Sequence, residues 1–279
     1  MFPQRNAIIR LLSDDDAQTV ELVKNQLAAN GTDSIPHLQD LLLVDDARVA
    51  QHVREVLGQI DSRQAREEFS LLCPDFPDDG DLENAAFLLA RAIFPGVDAT
   101  GSRAKLDQWG AALAGRLANA GPHASAAERV RLVADLLGRE LGFHGNADDY
   151  YNVKNSLLPF VIGSRLGIPI TLALVYMFTA KRAGMQIDGV SFPGHFLMRH
   201  EDLLFDPFER GRVLAMEDCA AILMRQNLTV DPAHFETAPD RVILRRMLAN
   251  LLYLYQTEDP EISETLASWI HALDRPAVA

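Results

Sequence analysis

The sequence predicts an α+β fold that is mostly helical, in which one buried helix packs on a small antiparallel sheet. Residues 169–184 are apolar on almost every side, which is typical of a helix enclosed in a core. Four short extended segments follow at once, and further helical patterns flank this centre on both sides. With 279 residues, of which 48% are hydrophobic, the chain can bury one large core or two modest ones.

Residues 1–73 are predicted to form helical repeats. Leu11-Leu12 precedes Asp15-Asp16-Ala17, and Leu41-Leu42 precedes Asp45-Asp46-Ala47. The pattern therefore recurs after about 30 residues, which is a helical-repeat spacing. Each aspartate run stands where a helix is expected to begin, and there a carboxylate can accept hydrogen bonds from the free N–H groups. We interpret these acids as helix caps rather than metal ligands.

A segment rich in Pro, Gly and Asp marks a domain boundary. It runs from Cys73-Pro74 to Gly80-Asp81, and its composition is typical of a connecting loop. We therefore predict an N-terminal helical repeat region over residues 1–73, a central domain over 81–235 and a C-terminal helical hairpin over 236–279. The hairpin is of the tetratricopeptide kind, since Asp259-Pro260 begins a second helix after a strong apolar helical pattern.

The central domain holds the buried helix and the sheet. Pro169 suits the first position of that helix, because its missing N–H would be unpaired there anyway, and Gly184 suits its end. Other helices are expected over residues 82–93, around 113–117, over 130–137, 157–162 and 216–226. Strands are expected over residues 187–192, 195–199, 203–207 and 212–214.

His195 and Asp206 are predicted to share one face of a β-hairpin. If the turn is Glu201-Asp202, Asp206 lies opposite Leu197 and diagonal to His195. If the turn is His200-Glu201, Asp206 lies directly opposite His195. Both side chains stay on one face in either case, because side chains alternate with period two. A carboxylate beside an imidazole forms the base and its orienting group in a nucleophilic triad, and the alternative is a structural pair in the core.

The nucleophile is missing from this pattern. Sites of this kind activate a cysteine at a helix N-terminus, where the helix dipole stabilises the thiolate. The chain has two cysteines, Cys73 before the domain boundary and Cys219 after the sheet, so neither is expected to reach His195. They lie far apart and without CxxC spacing, and thus indicate neither a disulfide framework nor a zinc site.

Several spaced motifs resemble those of a known family. They are Phe143, Gly145, Asn146 and Tyr150; Asn155-Ser156; Arg165; Gly167-Ile168-Pro169-Ile170-Thr171-Leu172; Pro193-Gly194-His195-Phe196; and Asp206-Pro207-Phe208. Together they resemble the transglutaminase-like superfamily, and more closely the bacterial SirB-one family. Weaker similarity over residues 81–86 and 243–251 extends the resemblance to most of the chain. It implies a transglutaminase-like or papain-like core with N-terminal helical repeats and a C-terminal tetratricopeptide-like hairpin.

The resemblance also implies roles for individual residues. The histidine and aspartate of the superfamily correspond to His195 and Asp206, and its catalytic cysteine position corresponds to Pro169. A proline cannot be a nucleophile, so His195 and Asp206 are expected to be a relict pair. The residues expected around this pair, as a cleft with a hydrogen-bonded frame, are Asn146, Tyr150, Asn155, Ser156, Arg165, Pro169 and Thr171.

Three functional hypotheses follow. The first is a transglutaminase-like protein without cysteine catalysis that acts as a binding or regulatory module for a protein or peptide. The alternative is a hydrolase or acyltransferase in which Ser156 or Thr171 attacks, with His195 and Asp206 as the base and its orienter. These two hydroxyls are otherwise interpreted as an N-cap and as a hydrogen-bonding group at a helix start. The third is a helical scaffold in which the pair is structural.

Composition narrows the classes of partner and ligand. A net charge of −13 disfavours duplex nucleic acid, and the cluster Arg241, Arg245 and Arg246 is interpreted as the solvated face of a helix. The eight histidines are dispersed, so we expect no metal site. We also expect no cofactor. The first six residues do not resemble a signal peptide, and the longest apolar stretch, over residues 161–178, is too interrupted for a membrane span. We therefore expect a cytoplasmic protein that binds neither nucleic acid nor membranes.

Overall fold

The computed structural model of the protein describes residues 5–275. Met1 to Gln4, on which the signal-peptide expectation partly rests, and residues 276–279 lie outside the described residues. The described α-helices, in chain order, are α1 (Arg5–Leu12), α2 (Ala17–Ala29), α3 (Ile35–Leu41), α4 (Ala47–Leu72), α5 (Leu82–Ile93), α6 (Ala99–Ala120), α7 (Ala126–Ala134), α8 (Leu158–Ser164), α9 (Pro169–Arg182), α10 (Met216–Arg225), α11 (Asp240–Tyr255) and α12 (Pro260–Leu273). Short 3-10 turns occupy Gly31–Ser34, Val153–Ser156 and Pro232–Phe235, and a π-helical turn occupies Asp135–Glu140.

Within residues 5–275, two small sheets accompany the helices. The strands are β1 (His144–Gly145), β2 (Leu166–Gly167), β3 (Asp188–Val190), β4 (Leu197–His200), β5 (Leu203–Asp206) and β6 (Arg212–Val213). β1 and β2 pair in parallel, whereas β3 to β6 form an antiparallel sheet in sequential order. The predicted α+β class, mostly helical with a small antiparallel sheet, is confirmed.

The chain divides into two compact units that alternate along the sequence. The first unit comprises Met1–Leu71 and Leu88–Val97, and the second comprises Leu72–Phe87 and Asp98–Ala279. The three domains predicted over residues 1–73, 81–235 and 236–279 stay predictions.

The first unit joins its two sequence segments by polar contacts. Arg91 forms a bidentate ion pair with Asp61, at 2.6 and 3.1 Å. Ser62 Oγ donates to the Ala92 carbonyl at 3.0 Å. A Cβ at Gly58 would lie only 2.9 Å from the backbone nitrogen of Gly96. Residues 88–97 are therefore an integral part of this unit.

The acidic runs of the first unit act as helix caps. Asp16 accepts hydrogen bonds from the N–H groups of Gln18 and Thr19 at the start of α2. Asp46 accepts in the same way from Arg48 and Val49 at the start of α4. These bonds satisfy N–H groups that have no partner within the helix. The capping interpretation is confirmed for one aspartate of each run, whereas the helical-repeat character of the region stays a prediction.

Helix α9 is the centre of the second unit. From Pro169 to Tyr176 its residues are all buried, and the helix packs on α6, α8, β3 and β4. Its C-terminus is closed by a Schellman motif, in which Met185 N donates to the Ala180 carbonyl and Gly184 N to the Lys181 carbonyl. The predicted limits of this helix, proline at the first position and glycine after the last, agree with the structure.

The π-helical turn places the loop that follows β5. Arg210 Nη1 donates to the Gly138 carbonyl at 3.0 Å, and a Cβ at Gly138 would lie 2.3 Å from the Arg210 carbonyl oxygen. Only glycine permits this close approach of two backbone segments. The sequence did not predict a π turn, because the apolar spacing over residues 130–137 is typical of an ordinary α-helix.

Replacing Gly138 by alanine is expected to lower the free energy of unfolding by about 1–3 kcal/mol, because the new methyl group would collide with backbone atoms of Arg210 that cannot move aside freely. Urea denaturation measures this change. The control is Gly115→Ala in α6, where no atom lies within 4 Å of the added Cβ and the helix gains up to about 1 kcal/mol. Equal stability changes in the two variants would contradict the packing role of Gly138.

Candidate functional site

His195 and Asp206 form a direct hydrogen bond. Met198 pairs with Phe205 and His200 with Leu203, so the turn is Glu201-Asp202, the first of the two predicted registers. Asp206 then falls opposite Leu197 and diagonal to His195. His195 Nε2 lies 2.8 Å from Asp206 Oδ2.

The Asp206 carboxylate is buried, with both oxygens engaged. Asp206 is 3% exposed, its Oδ2 faces His195, and its Oδ1 accepts from the Phe208 N–H at 2.8 Å. A carboxylate only accepts hydrogen bonds, so the imidazole nitrogen facing it, Nε2, carries the proton. Nδ1 makes no hydrogen bond within residues 5–275 and is therefore the nitrogen available to a ligand.

A tight turn presents His195. The His195 N–H donates to the Phe192 carbonyl at 3.0 Å, and Gly194 has φ of +68°. Proline at the second position and a left-handed glycine at the third are the pattern of a type II turn. The motif Pro193-Gly194-His195 therefore has a conformational reason in addition to its place in the family resemblance.

Arg246 on α11 holds this turn. Its guanidinium donates to Ser191 Oγ at 2.8 Å, to the Phe192 carbonyl at 3.1 Å and to the His195 carbonyl. The guanidinium also lies over the Phe196 ring, 5.5 Å from its centroid. Burial lowers the pKa of Arg246 below its ordinary value.

The interpretation of the three arginines of α11 as a solvated face is wrong for two of them. Arg241 donates to the Phe76 and Leu273 carbonyls, and Arg246 donates to the turn that presents His195. Only Arg245 keeps an exposed position, in an ion pair with Asp274. Arg246 was missed as a site residue. The available signal was its position three residues after Ile243, at the edge of the buried stripe of α11.

Four aromatic side chains, here called the aromatic edge, extend from His195 to the surface. The Phe208 ring meets the imidazole edge-on at 6.0 Å, and the chain of ring contacts continues from Phe208 to Tyr150, Tyr151 and Tyr253 at centroid distances of 5.4–6.1 Å. Tyr150, Tyr151 and Tyr253 are 40%, 66% and 64% exposed. Burial and the neighbouring Tyr151 raise the pKa of Tyr150, while Arg246 opposes that shift.

Asn146 and Asn155 shape the loop that carries Tyr150. Asn146 Nδ2 donates to Asn155 Oδ1 at 3.0 Å. Asn155 Nδ2 donates in turn to the carbonyls of Asp149 and Tyr150, at 2.6 and 3.2 Å. The Asn155 carbonyl accepts from Ile168 N–H, directly before Pro169. This is a hydrogen-bonded frame between the aromatic edge and the start of α9, and its role in a cleft stays a proposal.

Arg165 supports the fold next to this frame. It ends α8 with φ of +70°, and its guanidinium lies over the rings of Trp109 and Phe143, 4.5 and 4.8 Å from their centroids. It also donates to the Ile162 carbonyl, and burial lowers its pKa. These contacts join Arg165 to the core rather than to His195.

The start of α9 and the hydroxyls beside it are buried. Pro169 is the first residue of α9, while Ser156 Oγ and Thr171 Oγ1 make no hydrogen bond within the described chain, whether to His195 or to a helix end. Their interpretation as an N-cap and as a helix-start hydrogen-bonding group is therefore wrong. The physical reason is that the cap positions of α8 and α9 fall on Leu157 and Ile168, whose side chains cannot accept a bond.

Neither cysteine resembles an activated nucleophile. Cys73 and Cys219 are both fully buried, and burial raises the pKa of Cys73 to about 12 and that of Cys219 above its ordinary value. Within residues 5–275 no three His, Cys, Asp or Glu side chains form a group that could hold a metal ion. None of the helices described for the chain has both the length and the apolar character of a bilayer span.

Comparison with known proteins identifies a family and several relatives of this chain. A family model described as the transglutaminase-like superfamily matches residues 101–249, which include His195, Asp206 and Arg246. A UPF0162 protein of Xylella fastidiosa is 39% identical over 142 residues, or 47% of this chain and 50% of that protein. A UPF0162 protein of Pseudomonas aeruginosa is 38% identical over 139 residues, again 47% and 50% of the two chains. F-box only protein 21 of Homo sapiens is 33% identical over 135 residues, or 44% of this chain and 21% of that protein.

The chain spans about half the length of the UPF0162 relatives from Xylella fastidiosa that it matches, at 50% and 49% of theirs. No solved structure matches the chain at a significant level.

Replacing Asp206 by alanine is expected to lower the free energy of unfolding by about 3 kcal/mol, since the Phe208 N–H and His195 Nε2–H would both lose their acceptor in a buried place. Thermal or urea unfolding measures this loss. In the control, Glu209→Ala removes an exposed carboxylate that pairs with Arg212 and should change stability by less than about 0.5 kcal/mol. A similarly small change for Asp206→Ala would show that its bonds contribute little.

In the folded protein, both thiols are expected to resist a chromogenic disulfide reagent at pH 8, because each is buried and stays protonated there. Two equivalents should react after addition of guanidinium chloride, in agreement with the two cysteines of the sequence. A thiol that reacts rapidly in the native protein would overturn the conclusion that neither cysteine is an activated nucleophile.

Proposed function

Because the chain belongs to the transglutaminase-like superfamily, we propose that it keeps the histidine and aspartate of that scaffold as part of a cleft that binds a protein or peptide, without cysteine catalysis. The observation that carries the proposal is Pro169 at the first position of the buried helix, where the resemblance puts the catalytic cysteine. The burial of both thiols of this chain supports it further.

The binding surface in this proposal is the aromatic edge with His195. Tyrosine gives a large contact area at low entropic cost and is enriched among residues that dominate binding energy. Three tyrosines expose substantial fractions of their side chains here, and Phe208 connects them to the imidazole. His195 Nδ1 would then accept a hydrogen bond from a donor such as a peptide N–H, because Nε2 is already bonded to Asp206.

A second candidate is the hydrolase or acyltransferase that uses Ser156 or Thr171. It is supported by two buried hydroxyls that have no hydrogen-bond partner within residues 5–275. A general base needs its proton donor within about 3.2 Å, and neither hydroxyl bonds to His195. This geometry favours the binding module over the enzyme.

Several finer features belong to the same proposal. They are membership of the SirB-one family, helical repeats over residues 1–73, a tetratricopeptide-like hairpin over 236–279, and a cytoplasmic location with a protein rather than a nucleic acid as partner. The match to F-box only protein 21, which covers 21% of that protein, supports a domain that serves as a module within longer chains.

The experiment has a binding part and a catalytic part. Peptides selected from a random display library on the purified wild-type protein are expected to bind Tyr151→Ala and Tyr253→Ala at least about tenfold more weakly, the loss typical of an aromatic hot spot. In the control, Met224→Ala removes another exposed apolar side chain of the same compact unit and should leave affinity unchanged.

The catalytic part uses the same preparation. We expect no turnover of aryl esters and no transfer between a peptide glutamine and an alkyl amine that depends on His195. Turnover by the wild type that disappears in His195→Ala would establish the enzyme instead. Selected peptides that bind both tyrosine variants with the same affinity as the wild type would show that the aromatic edge is not the binding surface.

A further inference from the structure

We propose that Arg246 is the positioning residue of His195: its guanidinium joins the two ends of the turn that presents the imidazole and so fixes His195 toward Asp206. The inference deepens the proposed function and rests on it for the use of His195 in binding. The positioning itself can be tested without any ligand.

The geometry of the turn carries the argument. In a four-residue turn, the carbonyl of the first residue accepts from the N–H of the fourth, as Phe192 does from His195 at 3.0 Å. The carbonyl of the fourth residue has no partner within the turn. Arg246 donates to both carbonyls, to Phe192 through Nη1 and to His195 through Nη2, and a third bond holds Ser191 Oγ. One side chain therefore constrains the backbone on both sides of Gly194.

The shape of the side chain explains why it is arginine. A planar guanidinium offers several N–H groups in fixed directions, so it can bridge two carbonyls and lose less conformational freedom for each hydrogen bond. A lysine carries its donors on a single nitrogen at the end of a flexible stem and cannot hold the same spacing rigidly. Arg246→Lys thus keeps the charge but removes the planar set of donors that bridges the two carbonyls.

The electrostatic setting favours positioning over charge pairing. None of the ion pairs described for residues 5–275 includes Arg246, whereas Arg245 on the same helix pairs with Asp274 at 2.6 Å. Arg246 is bonded to neutral oxygens and rests on the Phe196 ring, although burying a charge among neutral groups is unfavourable. A side chain that serves only to balance charge would be expected beside a carboxylate.

The hydrogen bonds of Arg246 are to the His195 turn, while its charge also affects Tyr150 of the aromatic edge. Burial raises the pKa of Tyr150 and the charge of Arg246 partly opposes that shift, whereas the guanidinium bonds directly to the His195 carbonyl. Loss of the guanidinium should therefore disturb His195 first and ligand affinity as a consequence.

The test follows the imidazole N–H by nuclear magnetic resonance. The His195 Nε2–H of the wild type, assigned by its absence in His195→Gln, should resonate far downfield and exchange slowly because it donates to Asp206. In Arg246→Ala this signal should broaden or vanish, and millimolar guanidinium ion should restore it by occupying the vacated place. Arg245→Ala, the matched control on α11, should keep the signal unchanged.

Each outcome decides the proposal. An unchanged Nε2–H signal in folded Arg246→Ala, or equal loss in Arg245→Ala, would overturn it. If Arg246→Ala fails to fold, Arg246→Lys takes its place. A broadened Nε2–H signal in that variant supports the positioning role of the guanidinium, and a wild-type signal refutes it. Peptides selected on the wild type should bind Arg246→Ala about tenfold more weakly. If the selected peptides bind Tyr151→Ala, Tyr253→Ala and Arg246→Ala with wild-type affinity while the Nε2–H resonance behaves as expected, the proposed function fails and the positioning role stands.

Discussion

The buried carboxylate of Asp206 is the constraint on which the site depends. A carboxylate taken out of water is strongly unfavourable unless each oxygen finds a donor. Oδ1 accepts a hydrogen bond from the Phe208 N–H, and Oδ2 accepts one from the His195 imidazole. One buried group therefore fixes both the loop after β5 and the turn before β4. The backbone carbonyl of Asp206 also accepts from Gly211 N–H, which closes the loop. Satisfying Asp206 therefore constrains the orientation of His195, together with the turn that Arg246 holds.

Two other contacts hold the segments that carry this pair. The π-helical turn lets Gly138 approach Arg210, which sets the loop after β5, and Arg246 holds the turn before β4. The loop and the turn on either side of the His195–Asp206 hydrogen bond are thus contacted by elements distant in sequence, one with residue 138 and one with residue 246.

Local sequence signals predicted much of the fold and less of the site. The limits of α9 could be predicted because proline and glycine act through their own backbone conformations, and the shared face of His195 and Asp206 follows from strand periodicity. The position of Arg246 at the edge of the buried stripe of α11 could indicate partial burial, but its acceptors could not be predicted, since they lie some 50 residues away and a helical charge pattern carries no information about distant carbonyls. The two-residue pairing of β1 with β2 is too short to give a periodic signal. The Ser156 and Thr171 interpretations failed because the cap positions fall on Leu157 and Ile168, one residue from Ser156 and three from Thr171.

The alternation of the two compact units along the sequence has a consequence for biosynthesis. The first unit includes Leu88–Val97, whose Arg91 and Ala92 bond to Asp61 and Ser62. A nascent chain emerges from the ribosome in order, and domains generally fold as units during synthesis. The earlier segment therefore cannot complete its packing until residue 97 has left the exit tunnel, and by then part of the second unit has already been translated.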